Sequence, residues 1–542
     1  MMSERFGVIG AVDERQLRLL VRDWRHGRAD RNILQALSDA YVMVFALVLV
    51  GAMLVSSILQ AQRTVAVCDT ESCLASRGLL PWAATAAFLA FALMAARLFG
   101  PIVASAAEGF WILDGDVNRR RFLQGRLVAS VLLSLLAGAG LGALVAALVG
   151  SDPATILIWG VASGLGCFGL VSFAAAEQGM ERRWIIGVLL WVTGALAMGT
   201  LSLLVLIATG RLPVGTVAAW GVEFAWIIAG VGAVLGLVSV WLAWVRLTRL
   251  RRQRLVAGSS LISGMQGAAF ALDLALVRDI LVQFRAKEKG HVRPTRGAGL
   301  GAAALVMRDV QRLWRNPRPL LFWAGSMMVP YAIQALGMGV VAAPLSALVL
   351  MAALIGFCNS MRVLTRTMGL QRCFPFAPGA VRQATMVVPA VLALLWAVAV
   401  TPAFLGIVGG QQVELGVGLT QTLLTAVAGL LAAVRWVTAK PANYGGPLVA
   451  TTGFGAVPPG LMFSLIKGID VVTVVTLPIV VGWPSWISLV IAMIVFMMLR
   501  SGLDQQALLE QQEEQRRLLE QEKARRAGAV AAKNRIKVQR RR

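Results

Sequence analysis

Acidic side chains, histidine and cysteine are all scarce in this sequence, with 27 Asp and Glu, 2 His and 5 Cys among 542 residues. His26 and His291 lie far apart in basic surroundings and offer no metal-ligand spacing. No Gly-x-x-x-x-Gly-Lys-Ser/Thr loop occurs, which excludes ATP binding through a P-loop. No His-Glu-x-x-His is present, and no Gly-x-Ser-x-Gly stands in a sensible strand-turn-helix context. No cofactor or metal is therefore expected. Charged residues of either sign make up only 14% of the chain, against about a quarter in soluble domains.

What the chain has instead is apolar length. Hydrophobic residues reach 58%, and the mean hydropathy is +0.74. Uncharged runs near twenty residues recur, each long enough to cross a hydrocarbon core of roughly 30 Å at about 1.5 Å per residue. They are rich in Gly and Ala and lack polar/apolar alternation, so helices are the expected spanning element, each satisfying its own backbone hydrogen bonds. The runs are 40–60, 79–99, 127–150, 154–176, 185–208, 216–245, 319–342, 344–362, 384–409, 416–434, 446–466 and 483–499. The stretch 467–482, with Pro478, either extends a neighbour or dips into the outer leaflet. The expectation is an all-α polytopic membrane protein of about 12 spans.

The formal net charge is +24. In a soluble protein this would suggest nucleic acid. Here the basic residues sit between apolar runs and at both chain ends, so no nucleic-acid partner is expected, and loops held near anionic membrane lipids explain the balance. Arg15 to Arg31, Arg119 to Arg126, Arg182, Arg183, Arg246 to Arg254, Arg362 to Arg382, Arg435 and Lys440 all fall on one side if the runs alternate, against Arg63, Arg77, Arg211 and Lys467 on the other. This places both termini in the cytoplasm and the protein in the cell membrane. The polar, Arg-rich first forty residues lack the apolar core of a cleavable signal peptide.

The segments are a cytoplasmic N-terminus 1–38, a first six-span part 39–250, a cytoplasmic linker 251–318, a second six-span part 319–500 and a charged tail 501–542. In the linker, Phe270, Leu274, Val277, Leu281 and Phe284 recur at helical spacing and predict an amphipathic helix. The tail 503–526 reads as a solvated helix. Cys68 and Cys73 frame the first external loop, where a small disulfide and two free thiols are equally good readings. Cys167 and Cys358 read as packing residues. Glu223, Lys467 and Asp470 are expected near the outer boundary.

The two parts resemble each other. Leu17 to Arg25, with Arg22 and Trp24, and Leu305 to Arg315, with Arg308 and Trp314, are basic amphipathic stretches just before the first span of each part, expected at the headgroup level. Val306, Val310, Leu313 and Trp314 form the apolar face of the second. After the second span, Trp111 to Leu123 and Gln371 to Gln383 each combine an aromatic patch, a Gly or Pro turn and Arg entering the next span. An even number of spans per part makes them parallel repeats.

At Glu108-Gly-Phe-Trp-Ile-Leu-Asp114-Gly-Asp116-Val-Asn-Arg119-Arg-Arg-Phe-Leu the chain resembles membrane subunits of ABC-2 type exporters, and more narrowly the twelve-span, two-half permease-like proteins of high-GC Gram-positive bacteria. Trp111, Ile112, Leu113, Arg119 to Arg121 and Leu123 fit the family's turn, while Asp114 and Gly115 replace its usual small residue and proline. The resemblance implies a separate ABC ATPase subunit docked under two turns, with contacts from Glu108, Asp114, Asp116, Arg119, Arg120, Arg121, Arg372, Phe374, Pro375 and Arg382. The plain alternative for each Arg is membrane topology alone. A secondary carrier with two parallel repeats and a non-transporting membrane scaffold are the rival readings. The scarcity of mid-membrane charge counts against the carrier, and nothing in the apolar spans names a substrate.

Overall fold

The computed structural model describes residues 71–113, 115, 118–180, 182–213, 223–270, 273–291, 296–367, 369–370, 373–407, 412–439, 450–452, 455–457, 466–501, 515–523 and 525, with Leu19, Val48, Gln62 and seven residues between 51 and 59. Most of the span expected at 40–60 and of the stretch 17–25, with Arg22 and Trp24, lies outside the described residues, as do Cys68, Asp114, Asp116 and Arg372.

The chain is built of helices. In order they are α1 (Glu71–Phe99), α2 (Ala106–Trp111), α3 (Arg119–Leu148), α4 (Pro153–Gln178), α5 (Arg183–Ala208), α6 (Glu223–Arg246), α7 (Arg252–Phe270), α8 (Leu274–Lys289), α9 (Ala303–Arg315), α10 (Arg318–Ser326), α11 (Met328–Ala335), α12 (Gly339–Ile355), α13 (Asn359–Arg366), α14 (Pro378–Phe404) and α15 (Leu415–Thr438). A two-stranded antiparallel hairpin follows, β1 (Ala450–Thr452) on β2 (Gly455–Val457), and then α16 (Ile469–Val481) and α17 (Ser485–Ser501). Residues 515–523 of the tail are helical and exposed. Among the described residues seven helices are long and apolar enough to cross a membrane, or eight if the bent pair α12–α13 is one span.

The starts of the long helices are local chemistry. Asn118 caps α3 by accepting from the amides of Arg120 and Arg121, and Asp152 caps α4 through the amide of Thr155 with Pro153 at the first helical position. The breaks are equally local. Pro330 lacks the amide that would bond the carbonyl of Ser326, and the expected run 319–342 is divided into α10 and α11 at Met327. The expected run 344–362 bends by 70° after Ile355, where α13 brings in Arg362 and Arg366 and leaves the apolar direction of α12.

Three other expectations are corrected. The run 446–466 is not one helix, and at 450–452 and 455–457 it is β-strand. Gly453, Gly455, Pro458, Pro459 and Gly460 crowd it, and the hairpin stands there instead. The stretch left open at 467–482 forms a short apolar helix, α16. Asp470, expected at the outer boundary, pairs at 2.7 Å with Arg435 near the end of α15, so α16 begins on the side where α15 ends. In the linker, the stripe from Phe270 to Phe284 is interrupted, because Asp273 caps a new helix, α8, through the amides of Ala275 and Leu276.

Packing centres on α4 and α15. α4 touches α1, α3 and α6, and α15 touches α12, α14, α16 and α17. In lipid, helices associate through close backbone approach and small residues rather than through the hydrophobic effect. A Cβ added to Gly169 of α4 would sit 2.6 Å from the carbonyl oxygen of Gly232 on α6, so the two helices cross at glycine against glycine. The largest buried cluster lies around α12, α14 and α15, with Trp396 fully enclosed. Leu79 of α1, Leu204 and Ile207 of α5 and Ala332 of α11 form a smaller cluster that joins the first set of helices to the second.

The α4–α6 crossing yields a first prediction. Gly169→Leu is expected to separate these helices and cost about 3 kcal/mol, as overpacking of a tight interior does. Its thermal unfolding in detergent should fall well below wild type, whereas Gly194→Leu, with open space around Cβ, should leave it unchanged.

Candidate functional site

The short helix α2 holds the first of the two expected coupling turns. Ser105 and Glu108 form a reciprocal cap, with Glu108 N–H donating to Ser105 Oγ at 3.2 Å and Ser105 N–H donating to Glu108 Oε2 at 2.8 Å. Arg126 reaches back from α3 and donates to the same Oε2 at 2.6 Å and to the carbonyl of Val103. Glu108 is thus a buried anchor of its own turn. Burial alone would push its carboxyl up, but the Arg126 hydrogen bond, the Ser105 amide and the Arg126 charge outweigh it and hold the group at about 2.

Three cations open α3, the positive end of a helix dipole, and need compensation. Arg119 donates to the carbonyl of Leu113 at 3.0 Å. The Arg120 guanidinium lies 4.6 Å from the ring centre of Trp244 on α6. Arg121 is exposed. Beside them Phe110 and Trp111 stand edge to face at 5.2 Å, Trp111 is 76% exposed, and Arg252 of α7 covers Phe110 at 5.0 Å. The turn therefore presents two aromatics and Arg121 outward, while Glu108, Arg119 and Arg120 are turned to internal work.

In the second turn Phe374 is half-buried and Pro375 exposed. Arg382 of α14 donates to the carbonyl of Leu499 at 3.2 Å and ties α14 to the end of α17. Of the headgroup-level residues, Arg308 is exposed and Trp314 is 85% exposed. Val306, Val310 and Leu313 pack on the second core, so Trp314 parts from the face it was expected to share. Cys167 and Cys358 are free and buried, and Cys373 is free and exposed.

Sequence reasoning missed the linker's role. α7 seats on the first set of helices. A Cβ at Gly258 would run into the carbonyl oxygen of Phe99, Val256 packs over Gly109, and the Ala104 amide donates to the carbonyl of Leu255 at 3.1 Å. α8 seats on the second set. Asp279 accepts two hydrogen bonds of 2.5 Å from Arg362 and one of 3.2 Å from Arg366. Arg278 donates at 2.6 Å to the carbonyl of Ile355, at the bend between α12 and α13, and Arg278 and Arg362 both face the ring of Trp436. Burial, with the nearby Arg362 charge, holds Arg278 at about 10. Two adjacent helices thus strap the turn at α2 to the bend at α13. In the sequence, Arg278 and Asp279 stand out only as charged residues off the linker's apolar stripe, together with Asp273 and Arg285.

Charge divides by end. Among the described residues the end carrying α2, α7, α8 and α9 holds most of the Arg, including Arg119 to Arg126, Arg246 to Arg254, Arg362, Arg366, Arg382 and Arg435. The opposite end holds Arg77, which closes the α3–α4 loop through the carbonyls of Val149 and Gly150, and Arg211. Among the described residues no group of three or more His, Cys, Asp or Glu is placed to hold a metal ion.

Helices of this length and apolarity define a membrane protein of the all-α class. The chain belongs to a family of unknown function, DUF6297, whose model matches residues 73–447, from the start of α1 to just beyond α15. No curated protein and no solved structure matches it.

Two predictions follow from this geometry. Glu108→Gln should destabilise by about 2 kcal/mol at neutral pH, the worth of a hydrogen bond to a charged group. Because the folded carboxylate titrates below its ordinary value of 4.5, this contribution is full above pH 4.5 and disappears as pH falls toward 2. The melting curves of variant and wild type should converge over that window. Asp279→Ala leaves the buried Arg362 uncompensated and should cost about 3 kcal/mol, and Arg362→Met should restore part of the loss. Protease cutting between α7 and α8 should quicken in the first variant.

Proposed function

We propose that the protein is the membrane subunit of an ABC-type exporter, two six-helix halves in one chain working with a separate ATPase subunit. The observation that carries the reading is a repeated pairing of helices. In the first half the second and fourth spans touch (α1 with α4), as do the third and fourth (α3 with α4), the fourth and sixth (α4 with α6) and the second and fifth (α1 with α5). In the second half the same four pairings recur as α12 with α15, α14 with α15, α15 with α17 and α12 with α16. In each half the connection from second to third span runs at the Arg-rich end, which the positive-inside rule assigns to the cytoplasm of the cell membrane.

The mechanism is then one of packing. ATP-driven closure of the ATPase subunit presses on the turns at Trp111–Arg121 and Phe374–Arg382. α7 and α8 transmit the motion to the bend after Ile355, and the halves part along the contact of α11 with α1 and α5. The substrate class is hydrophobic or peptide-like, in keeping with walls that carry few charges.

Co-expression with a stand-alone ATP-binding subunit encoded beside it tests the reading. The two should purify as a complex with vanadate-sensitive ATP turnover. Arg121→Glu combined with Phe374→Asp should lower that turnover about tenfold, the loss of about 1.4 kcal/mol of docking. Absence of any complex with the wild-type chain contradicts the proposal.

A further inference from the structure

Behind α9 lies a cavity of about 190 Å³, several waters' worth of space at roughly 30 Å³ each. Its lining combines the polar Asp309, Arg312 and Arg315 of α9 with the apolar Leu313, Phe357 and Val388. Asp309 is only 4% exposed. Its Oδ1 accepts from Ser360 Oγ and, at 3.3 Å, from Arg312, and its Oδ2 is sealed with no partner. Burial pushes this carboxyl up while Ser360 and Arg312 pull it down, with the net direction upward. A buried carboxylate left half satisfied is expensive. What it achieves here is to fix one nitrogen of Arg312, whose side chain remains 52% exposed.

We propose that this cavity is a binding site for the phosphodiester of an anionic phospholipid, with Arg312 and Arg315 on the phosphate and the glycerol end of the acyl chains against Leu313, Phe357 and Val388. Arg312, one nitrogen of which Asp309 fixes while the side chain stays half exposed, supplies a positive charge that suits a monoanionic headgroup. Asp309 offers no acceptor to a zwitterionic lipid's ammonium, because its Oδ1 is taken and its Oδ2 is sealed. The depth fits, because α9 packs Val306, Val310 and Leu313 inward and turns Trp314 out at the level where an interfacial helix meets headgroups. The site stands apart from the transport reading and is equally available to a scaffold. An occupant there bridges α9 to the bend beside Gly356.

The test is native mass spectrometry of the full chain in detergent, titrated with phosphatidylglycerol, phosphatidylcholine and inorganic phosphate. One phosphatidylglycerol is expected to bind saturably and to outlast phosphatidylcholine. Arg312→Gln should weaken it about tenfold, the loss of one charge-assisted contact. Asn316→Trp, at an exposed position on the cavity rim, should block it with no change in melting temperature. Arg308→Gln, exposed on the same helix away from the cavity, should bind as wild type does. Equal weakening by Arg308→Gln, undiminished binding in Asn316→Trp, equal retention of phosphatidylcholine, or displacement by millimolar inorganic phosphate would each overturn the proposal, the last by showing a free-phosphate site.

Discussion

Close approach of helix backbones at α4 is the constraint on which the rest of the first helix set depends. A membrane interior offers no hydrophobic gain for pressing one apolar helix against another, so contact must come from dispersion and fit. Gly169 against Gly232 lets α6 lie directly on α4, and Ser163 of α4 meets Thr85 of α1 through a buried 2.8 Å hydroxyl contact. With α4 held on three sides, the ends of α1, α3 and α6 converge, and that convergence places Arg120 over Trp244 and Arg126 on Glu108. The turn at α2 is therefore a consequence of packing inside the apolar layer. α15, with Ala428, Ala432 and Ala433 fully buried, plays the same part for α12, α14, α16 and α17.

At the Arg-rich end the governing physics changes from fit to charge. Arg362 is almost fully buried and is tolerated because Asp279 meets it with two short hydrogen bonds and the face of Trp436 covers it. Helix α8 is the source of that carboxylate, which makes the linker part of the folded structure. The strap formed by α7 and α8 joins the turn before α3 to the bend after α12.

The apolar runs were legible because composition alone marks them. Expected and observed helices agree closely for 154–176 and 185–208, where nothing interrupts the run, and the run 127–150 lies in α3, which begins earlier, at Arg119. They part where one residue outweighs hydropathy. Pro330 divides one run, the Gly and Pro of 453–460 turn another into a hairpin, and Arg362 bends a third. Hydropathy averages over these residues, whereas backbone hydrogen bonding does not. The turns were visible as positions, but the inward duties of Glu108, Arg119 and Arg120 depend on partners more than five residues away or on another helix. Asp279 with Arg362 was invisible for the same reason, 83 residues apart in sequence.

The proposed topology requires α16 to start from the side where α15 ends, and the contact of Asp470 with Arg435 puts the two ends together. Single cysteines in a cysteine-free background, at Ser259 in α7, Phe454 between the two strands, Arg211 and Gly482, labelled from either side of sealed vesicles, measure this directly. Positions 259 and 454 are predicted to label together from the cytoplasmic side, and 211 and 482 together from the outside. Labelling of position 454 with 211 and 482 would contradict the account.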